Sequence, residues 1–396
     1  MKKTLIFSLV YYPRFIGGAE VTIKEVTDRI PSSEMSFDMV TLRLDKKLPK
    51  FERIGNINVY RVGWASNQKQ SSDSLPWYLH LNKYFFLIFG TLKALALHKR
   101  HNYSTIWSLM ATYNTFSALF FKLFYPKVRF VFTLQDGDPI SYIKKRALPL
   151  YPLFKMFFTK ADHIQVISKY LAKWAVDMNA KCPISVVPNA VDYKLFAQDF
   201  TEVELNEVKS EIGKTHDDIF LVTTSRLVIK NAVGDVVKAL KHLPQNYKFL
   251  ILGQGYEEQN IRKQIVDLGL DKRVILKGYV SHKDMPKYLK ACDIFVRPSL
   301  SEGLGNSFLE AMASDIPVIG TPVGGIPDFL VDRETGLFCK VHDPESIAKC
   351  AKLLSEDLPL RSKIISKANE MVKTKYTWEN ISREMQTILQ GQFNKS

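Results

Sequence analysis

Short runs of apolar residues alternate along the chain with longer stretches whose apolar positions recur every three or four residues. In the first half, runs at Leu5–Val10, Phe37–Leu42, Ile57–Val62, Thr105–Ser108, Arg129–Thr133 and His163–Ile167 predict strands. In the second half, Phe220–Ser225, Lys248–Leu252, Val274–Lys277, Ile294–Pro298 and Val318–Thr321 do the same. Helical spacing falls between them, at Ala19–Ile30 and Asn114–Phe124. Later it recurs at Asp235–Lys241, Tyr256–Leu268, Met285–Cys292, Ser307–Ser314 and Pro344–Leu354. Strand-helix alternation of this kind is built from βα units, so the fold class is α/β with parallel sheets.

The pattern restarts near residue 200. Val186 to Asp192 closes the first set, the polar stretch Thr201–Asp218 predicts a leading helix, and Ile219 opens a new strand. Two doubly wound sheets are expected, one in residues 1–197 and one in residues 198–376. Such sheets bind ligands beyond the carboxyl ends of their strands, so the expected site is the cleft between two facing sheets.

Hydrophobic residues make up 46% of the 396 and charged residues 24%, which excludes a disordered chain, a collagen-like fibre or a disulfide scaffold. No apolar stretch reaches the roughly 20 residues of a membrane-spanning helix. Tyr84 to Leu97 comes nearest and contains Lys93. The apolar run Thr4–Tyr12 lacks a small-residue cleavage site and reads as a buried strand, not a signal peptide. Cys182, Cys292, Cys339 and Cys350 have no metal-site spacing and read as buried free thiols. A cytoplasmic protein is expected, peripheral on the inner face of the cell membrane.

The charge sharpens that expectation. The net charge is +15. Residues 1–199 hold 28 Lys+Arg against 14 Asp+Glu, while residues 200–396 hold 27 against 26. The excess lies in the first half and suits phosphates, nucleic acid or an anionic lipid surface. Residues 75–160 also carry 21 of the 47 aromatics, among them Trp77, Tyr78 and Tyr84–Phe86, interleaved with lysines. That mixture suits a membrane interface or an ordinary aromatic core. No nucleic-acid recognition signature accompanies it, so no nucleic acid partner is expected.

The segment most informative about chemistry runs from Arg297 to Ala313. It passes from a strand through a glycine-containing turn into a helix. Gly303 and Gly305 let a ligand approach the backbone, and the amides from Gly303 through Leu304, Gly305 and Asn306 to Ser307 form an anion-favouring helix start. Glu302 precedes the turn. Glu310 follows Asn306 by one helical turn. Carboxylates flanking such a turn suit a ligand with both hydroxyls and phosphates. The same pair could serve hydrolysis as in a glycosidase. Against that stand Arg226 and Lys230, placed just after the first strand of the second half, where two cations can neutralise a diphosphate.

In order along the chain, Glu302 and Glu310, Ser225-Arg226 with Lys230, Leu252-Gly253-Gln254-Gly255 and Gly278-Tyr279-Val280 match one pattern. Pro317–Thr321, Val323–Pro327, His342–Glu345, Gly17-Gly18-Ala19-Glu20 and Val187–Asp192 continue it. The chain resembles the retaining GT-B glycosyltransferases of family 4 over essentially its whole length, densely in 220–350 and more thinly in 40–130. The resemblance implies two Rossmann-like domains and a nucleoside diphosphate sugar, UDP- or GDP-linked, bound by the second. It implies that Glu310 holds the ribose, Glu302 the sugar hydroxyls, Arg226 and Lys230 the diphosphate, and backbone at Tyr279 and Val280 the base. Gly253 joins the donor site. Gly17 and Gly18 would meet the phosphates or the acceptor.

Transfer would retain configuration, with no metal and no cofactor, the nucleotide sugar being a substrate. The last helix, about 377–396, would pack back on the first domain and let the halves hinge. The acceptor expected is a lipid-linked or membrane-associated glycan, resting on an anionic membrane surface. A soluble acceptor, a nucleotide-sugar epimerase or hydrolase, and an inactive binding subunit are the alternatives.

Two departures stand out. Gln135 occupies the place where many members carry a His, and Gln cannot move a proton at neutral pH. Gln135, and Asp136 or Asp138, are left as binders of sugar hydroxyls. The Arg226–Lys230 spacing is one residue tighter than the common form, and Asn231 stands where a Gly is often seen.

Overall fold

A computed structural model describes residues 2–14, 17–66 and 77–392, apart from the side chains of Trp77, Tyr78 and His80. The expectations resting on Trp77 and Tyr78 therefore fall outside the described residues. The first half runs β1 (Lys2–Phe7), α1 (Gly18–Arg29), β2 (Met35–Leu42), β3 (Phe51–Ile54), β4 (Ile57–Val62), α2 (Trp77–His101), β5 (Thr105–Leu109), α3 (Tyr113–Phe124), β6 (Arg129–Leu134), α4 (Ile140–Ala147), α5 (Tyr151–Lys160), β7 (His163–Val166), α6 (Lys169–Asp177) and β8 (Ile184–Val186). It continues with α7 (Tyr193–Ala197), α8 (Glu202–Glu211), β9 (Ile219–Thr224), α9 (Val233–Ala239), β10 (Tyr247–Leu252), α10 (Glu258–Asp267), β11 (Val274–Gly278), α11 (Met285–Ala291), β12 (Ile294–Arg297), α12 (Asn306–Ala313), β13 (Val318–Gly320), β14 (Leu337–Phe338), α13 (Pro344–Glu356), α14 (Leu358–Lys375) and α15 (Trp378–Gln390).

The chain divides into two units. Unit 1 comprises residues 1–189 and 378–396, and unit 2 comprises residues 190–377. The sequence pattern puts the boundary after 197; contacts put it after Asn189. The difference is α7, which packs on α11 and α12. Phe196 of α7 is fully buried, and its carbonyl accepts a hydrogen bond from Ser314 Oγ at 3.2 Å.

Unit 1 holds eight strands in the order β3-β4-β2-β1-β5-β6-β7-β8, parallel except for the β3-β4 hairpin. The first strand begins at Lys2, earlier than the apolar run suggests, because Lys2 and Lys3 pair in register with Met35 and Ser36. Part of the aromatic stretch is core: Trp107, Phe121, Phe130, Phe132, Phe154, Phe157 and Phe158 are fully buried. α15 returns to this unit. Its Trp378, Ile381, Met385, Ile388 and Leu389 are buried at helical spacing, and it packs on α1.

Unit 2 holds six parallel strands in the order β11-β10-β9-β12-β13-β14. Phe220 to Val222 and Ile294 to Val296 have no exposed surface, as central strands covered on both faces require. The sheet grows from β9 toward β10 and β11, then restarts on the other side with β12. The carboxyl ends of β9 and β12 therefore flank a topological switch point, where open α/β sheets bind ligands.

No described helix is long and apolar enough to cross a membrane. The four cysteines are unpaired, and burial pushes the thiols of Cys182 and Cys350 up to about 11.

Candidate active site

Two loops meet at the switch point of unit 2. One follows β9 and carries Arg226 and Lys230. The other follows β12 and carries Glu302. Buried Leu227 anchors the first loop, its amide donating to Gln254 O at 2.9 Å. This leaves Arg226 exposed. Asn231 Nδ2 donates back to Arg226 O at 2.7 Å and closes the short turn that holds Lys230. The loops are stitched together where Leu300 N donates to Lys230 O at 2.7 Å.

Arg297, the last residue of β12, joins the parts of this site. Its Nη2 donates to Glu302 Oε2 at 2.6 Å and to Asn231 Oδ1 at 3.0 Å, and its Nη1 donates to Ser307 Oγ at 2.6 Å. The Arg297 and Glu302 side chains are each 12% exposed. One guanidinium thus fixes the carboxylate, the loop bearing Lys230 and the first turn of α12. The sequence reading includes Arg297 only as the start of its segment. What sets Arg297 apart is its set of partners, which the sequence does not show.

The glycines explain how the loops pass one another. Gly305 has φ 104°, in the left-handed region, and turns the chain into α12 with no side-chain cap on the new helix. The first-turn amides of α12 thus lack a capping side chain. A Cβ on Gly324 would stand 1.9 Å from Glu302 O, so the loop behind Glu302 needs glycine for close approach. Gly253 is similar: a Cβ there would stand 1.9 Å from Ser225 O, and its amide donates to Gly278 O at 2.8 Å. Its glycine is accounted for by backbone packing between the β9 and β10 loops.

Glu310 lies one turn into α12, with Oε1 3.3 Å from His282 Nε2. His282 also meets Phe196 edge-on at 5.0 Å. It is a second residue absent from the sequence-based site. Tyr279 is 75% exposed, whereas Val280 is buried. Ser225 Oγ and Ser299 Oγ, at the ends of the two central strands, are buried hydroxyls with no hydrogen-bond partner. Gly303 N lies 3.2 Å from Glu302 Oε1, and Leu304 is buried beneath the turn.

The remaining predicted residues belong to unit 1. The Gly17 amide donates to Glu20 Oε2 at 2.8 Å at the start of α1, and burial raises the pKa of Glu20. Among the described residues, nothing stands within 4 Å of where a Cβ on Gly18 would be. Gln135 Oε1 accepts from Asn189 Nδ2 at 3.3 Å, while its Nε2 is buried without a partner. Asp136 is buried and accepts from the Ala111 amide at 3.1 Å, which braces the turn after β5. A cavity of about 90 Å³ beside it is lined by Tyr113, Phe116, Asp138, Ile143, Arg146 and Phe154, among others. Among the described residues, no three His, Cys, Asp or Glu side chains gather as a metal site.

The sequence matches two family descriptions in series. "Glycosyltransferase Family 4" covers residues 16–195, and "Glycosyl transferases group 1" covers residues 206–371. An uncharacterized glycosyltransferase of Methanocaldococcus jannaschii is 24% identical over 397 residues, covering 94% of each chain. The lipopolysaccharide core biosynthesis glycosyltransferase LpsE of Rhizobium meliloti is 28% identical over 232 residues, 59% of this chain and 65% of that one. Among solved structures, HepE of Anabaena in complex with UDP-glucose superposes with a TM-score of 0.78 at 18% identity, covering 99% of this chain and all of that one. That likeness establishes the GT-B fold.

Proposed function

We infer that this chain, which belongs to the group 1 glycosyl transferases and acts on nucleotide sugars, is a retaining hexosyltransferase whose acceptor is a lipid-linked or membrane-associated glycan. The observation that carries the donor assignment is the meeting of the Arg226–Lys230 loop and the Glu302 loop at the β9/β12 switch point, tied by Arg297.

In this reading Arg226 and Lys230 hold the diphosphate. When the bond from the sugar C1 to the phosphate oxygen breaks, its electron pair stays on that oxygen, and the two cations take up the new charge. No metal is required for that step. The amides opening α12 add a favourable field. Glu302, oriented by Arg297, accepts hydrogen bonds from the sugar hydroxyls, and Glu310 accepts from the ribose. The acceptor oxygen attacks the face the phosphate leaves, and its proton passes to the departing phosphate, so configuration is retained.

The lipid-linked acceptor draws support from the basic excess of residues 1–199 and from the lipopolysaccharide role that the name of the Rhizobium relative gives to that protein. A place in polysaccharide biosynthesis would follow. A screen of UDP- and GDP-sugars with purified protein should find one donor that binds and is slowly hydrolysed. Glu302→Ala and Lys230→Ala should each abolish transfer in a folded protein; full activity in both would remove these residues from the site. Conversion of the donor to its epimer without acceptor would instead establish the epimerase alternative.

A further inference from the structure

Helix α2 is apolar on two opposite faces. Leu79, Phe86, Ala94 and Leu97 are buried inward. On the other side Leu81, Tyr84, Phe85, Ile88 and Leu92 follow one another at helical spacing and are all exposed, Ile88 by 50% and Leu92 by 60%. Trp64 is exposed too and meets Phe85 edge-on at 5.2 Å, which widens the strip beyond the helix. A helix that is apolar all round is ordinarily covered all round. A strip of this length on a water-facing surface marks an interaction site.

The charge around the strip identifies its occupant. From Trp77 to Ala161 the sequence has 12 Lys+Arg and two acids, Asp136 and Asp138. Asp136 is buried against the Ala111 amide, so it does not offset the surface charge. Lys99 and Arg100 end α2 exposed, and Lys145 and Arg146 stand exposed on α4. Tyr113 lies between the two helices, edge-on to Tyr84 at 4.8 Å and near enough to Arg146 for that charge to act on its hydroxyl. Tyr113 and Arg146 also line the 90 Å³ cavity of unit 1, which therefore begins where the strip meets α4.

An acidic protein would neutralise the cations yet leave the apolar strip without a match. An anionic bilayer answers both, since its headgroups pair with Lys and Arg while Trp, Tyr and aliphatic side chains enter the headgroup–acyl boundary. We propose that the outer face of α2, with the basic face of α4, docks unit 1 on an anionic lipid surface. The proposal deepens the membrane-associated acceptor reading. Its test measures lipid binding without donor or acceptor, so either can fail while the other stands.

The test is sedimentation of the full chain with phosphatidylcholine vesicles, with and without phosphatidylglycerol. At low salt the wild type should pellet with the phosphatidylglycerol vesicles and remain in solution with the others. Ile88→Glu with Leu92→Glu should lower the partition coefficient about tenfold or more, and so should Lys99→Glu with Arg100→Glu. Circular dichroism should show both variants folded. Wild type that stays in solution with anionic vesicles overturns the proposal, as does pelleting unchanged in both folded variants. A stable dimer in vesicle-free buffer that Ile88→Glu dissociates would give the strip to a second copy of the chain, and would overturn it too.

Discussion

Arg297 holds three parts of the candidate site together, and replacing it should damage catalysis more than folding. Arg297→Lys cannot reproduce a planar fork that reaches Glu302, Asn231 and Ser307 together. We expect kcat to fall about 100-fold with donor KM little changed, and Arg297→Gln to be worse. Equal losses in KM and thermal stability with kcat intact would make the residue a packing element only. The placement of Arg226, Lys230, Glu302 and Glu310 at one end of the unit 2 sheet was legible in the sequence because each sits just past a strand or within the helix that follows. Arg297 and His282 were not, because what distinguishes them is whom they touch. His163 makes the same point in unit 1. It is buried at the start of β7, with Nε2 2.9 Å from Ser185 Oγ. Burial, aided by the charge of Arg129, pushes its pKa down to about 4. The unfolded chain binds that proton near pH 6.5. The neutral ring's contribution is therefore complete above about pH 6.5 and is lost as pH falls through about 4, a change of order 3 kcal/mol at most. Melting temperature should fall less steeply over that range in His163→Gln than in wild type.

At the scale of elements, strands with a buried apolar run were legible, three-residue β13 among them, and β3, β8 and β14 were not. β3 exposes alternate residues and exists because it pairs antiparallel with β4. β8 has three residues, none of them buried, and β14 has only two, so neither shows a core-facing apolar run. The aromatic stretch mixed two roles that composition cannot separate. β5, β6 and α5 take their rings into the core, whereas α2 keeps a second apolar face outside. α15 was expected through the family resemblance, as a last helix at about 377–396, and its burial gives it a measurable share of stability. Trp378→Ala should cost unit 1 about 3–5 kcal/mol in denaturant unfolding. A separate transition for unit 2 should stay where it is. If both transitions moved together, the units would not unfold independently.

On the scale of the whole molecule, the charge is divided between the halves of the sequence. Residues 200–396 are nearly neutral, 27 Lys+Arg against 26 Asp+Glu, and place Arg226, Lys230 and Arg297 at the switch point, while the excess belongs to residues 1–199. The division into units is also uneven along the chain. Unit 2 is continuous, but unit 1 is assembled from two stretches with all of unit 2 between them. The chain leaves unit 1 after Asn189 and returns at Trp378. The two crossings lie side by side, with Val191 N donating to Tyr376 O at 3.0 Å and Val191 bridged to Thr377. During translation the sheet of unit 1 thus emerges first, yet α1 keeps an apolar face open until α15 leaves the ribosome. Unit 2 can fold in the interval, because nothing it needs is still unmade. Released chains truncated before residue 378 should accordingly contain a folded unit 2 and an incomplete, chaperone-binding unit 1, and restoring residues 378–392 should release the chaperone.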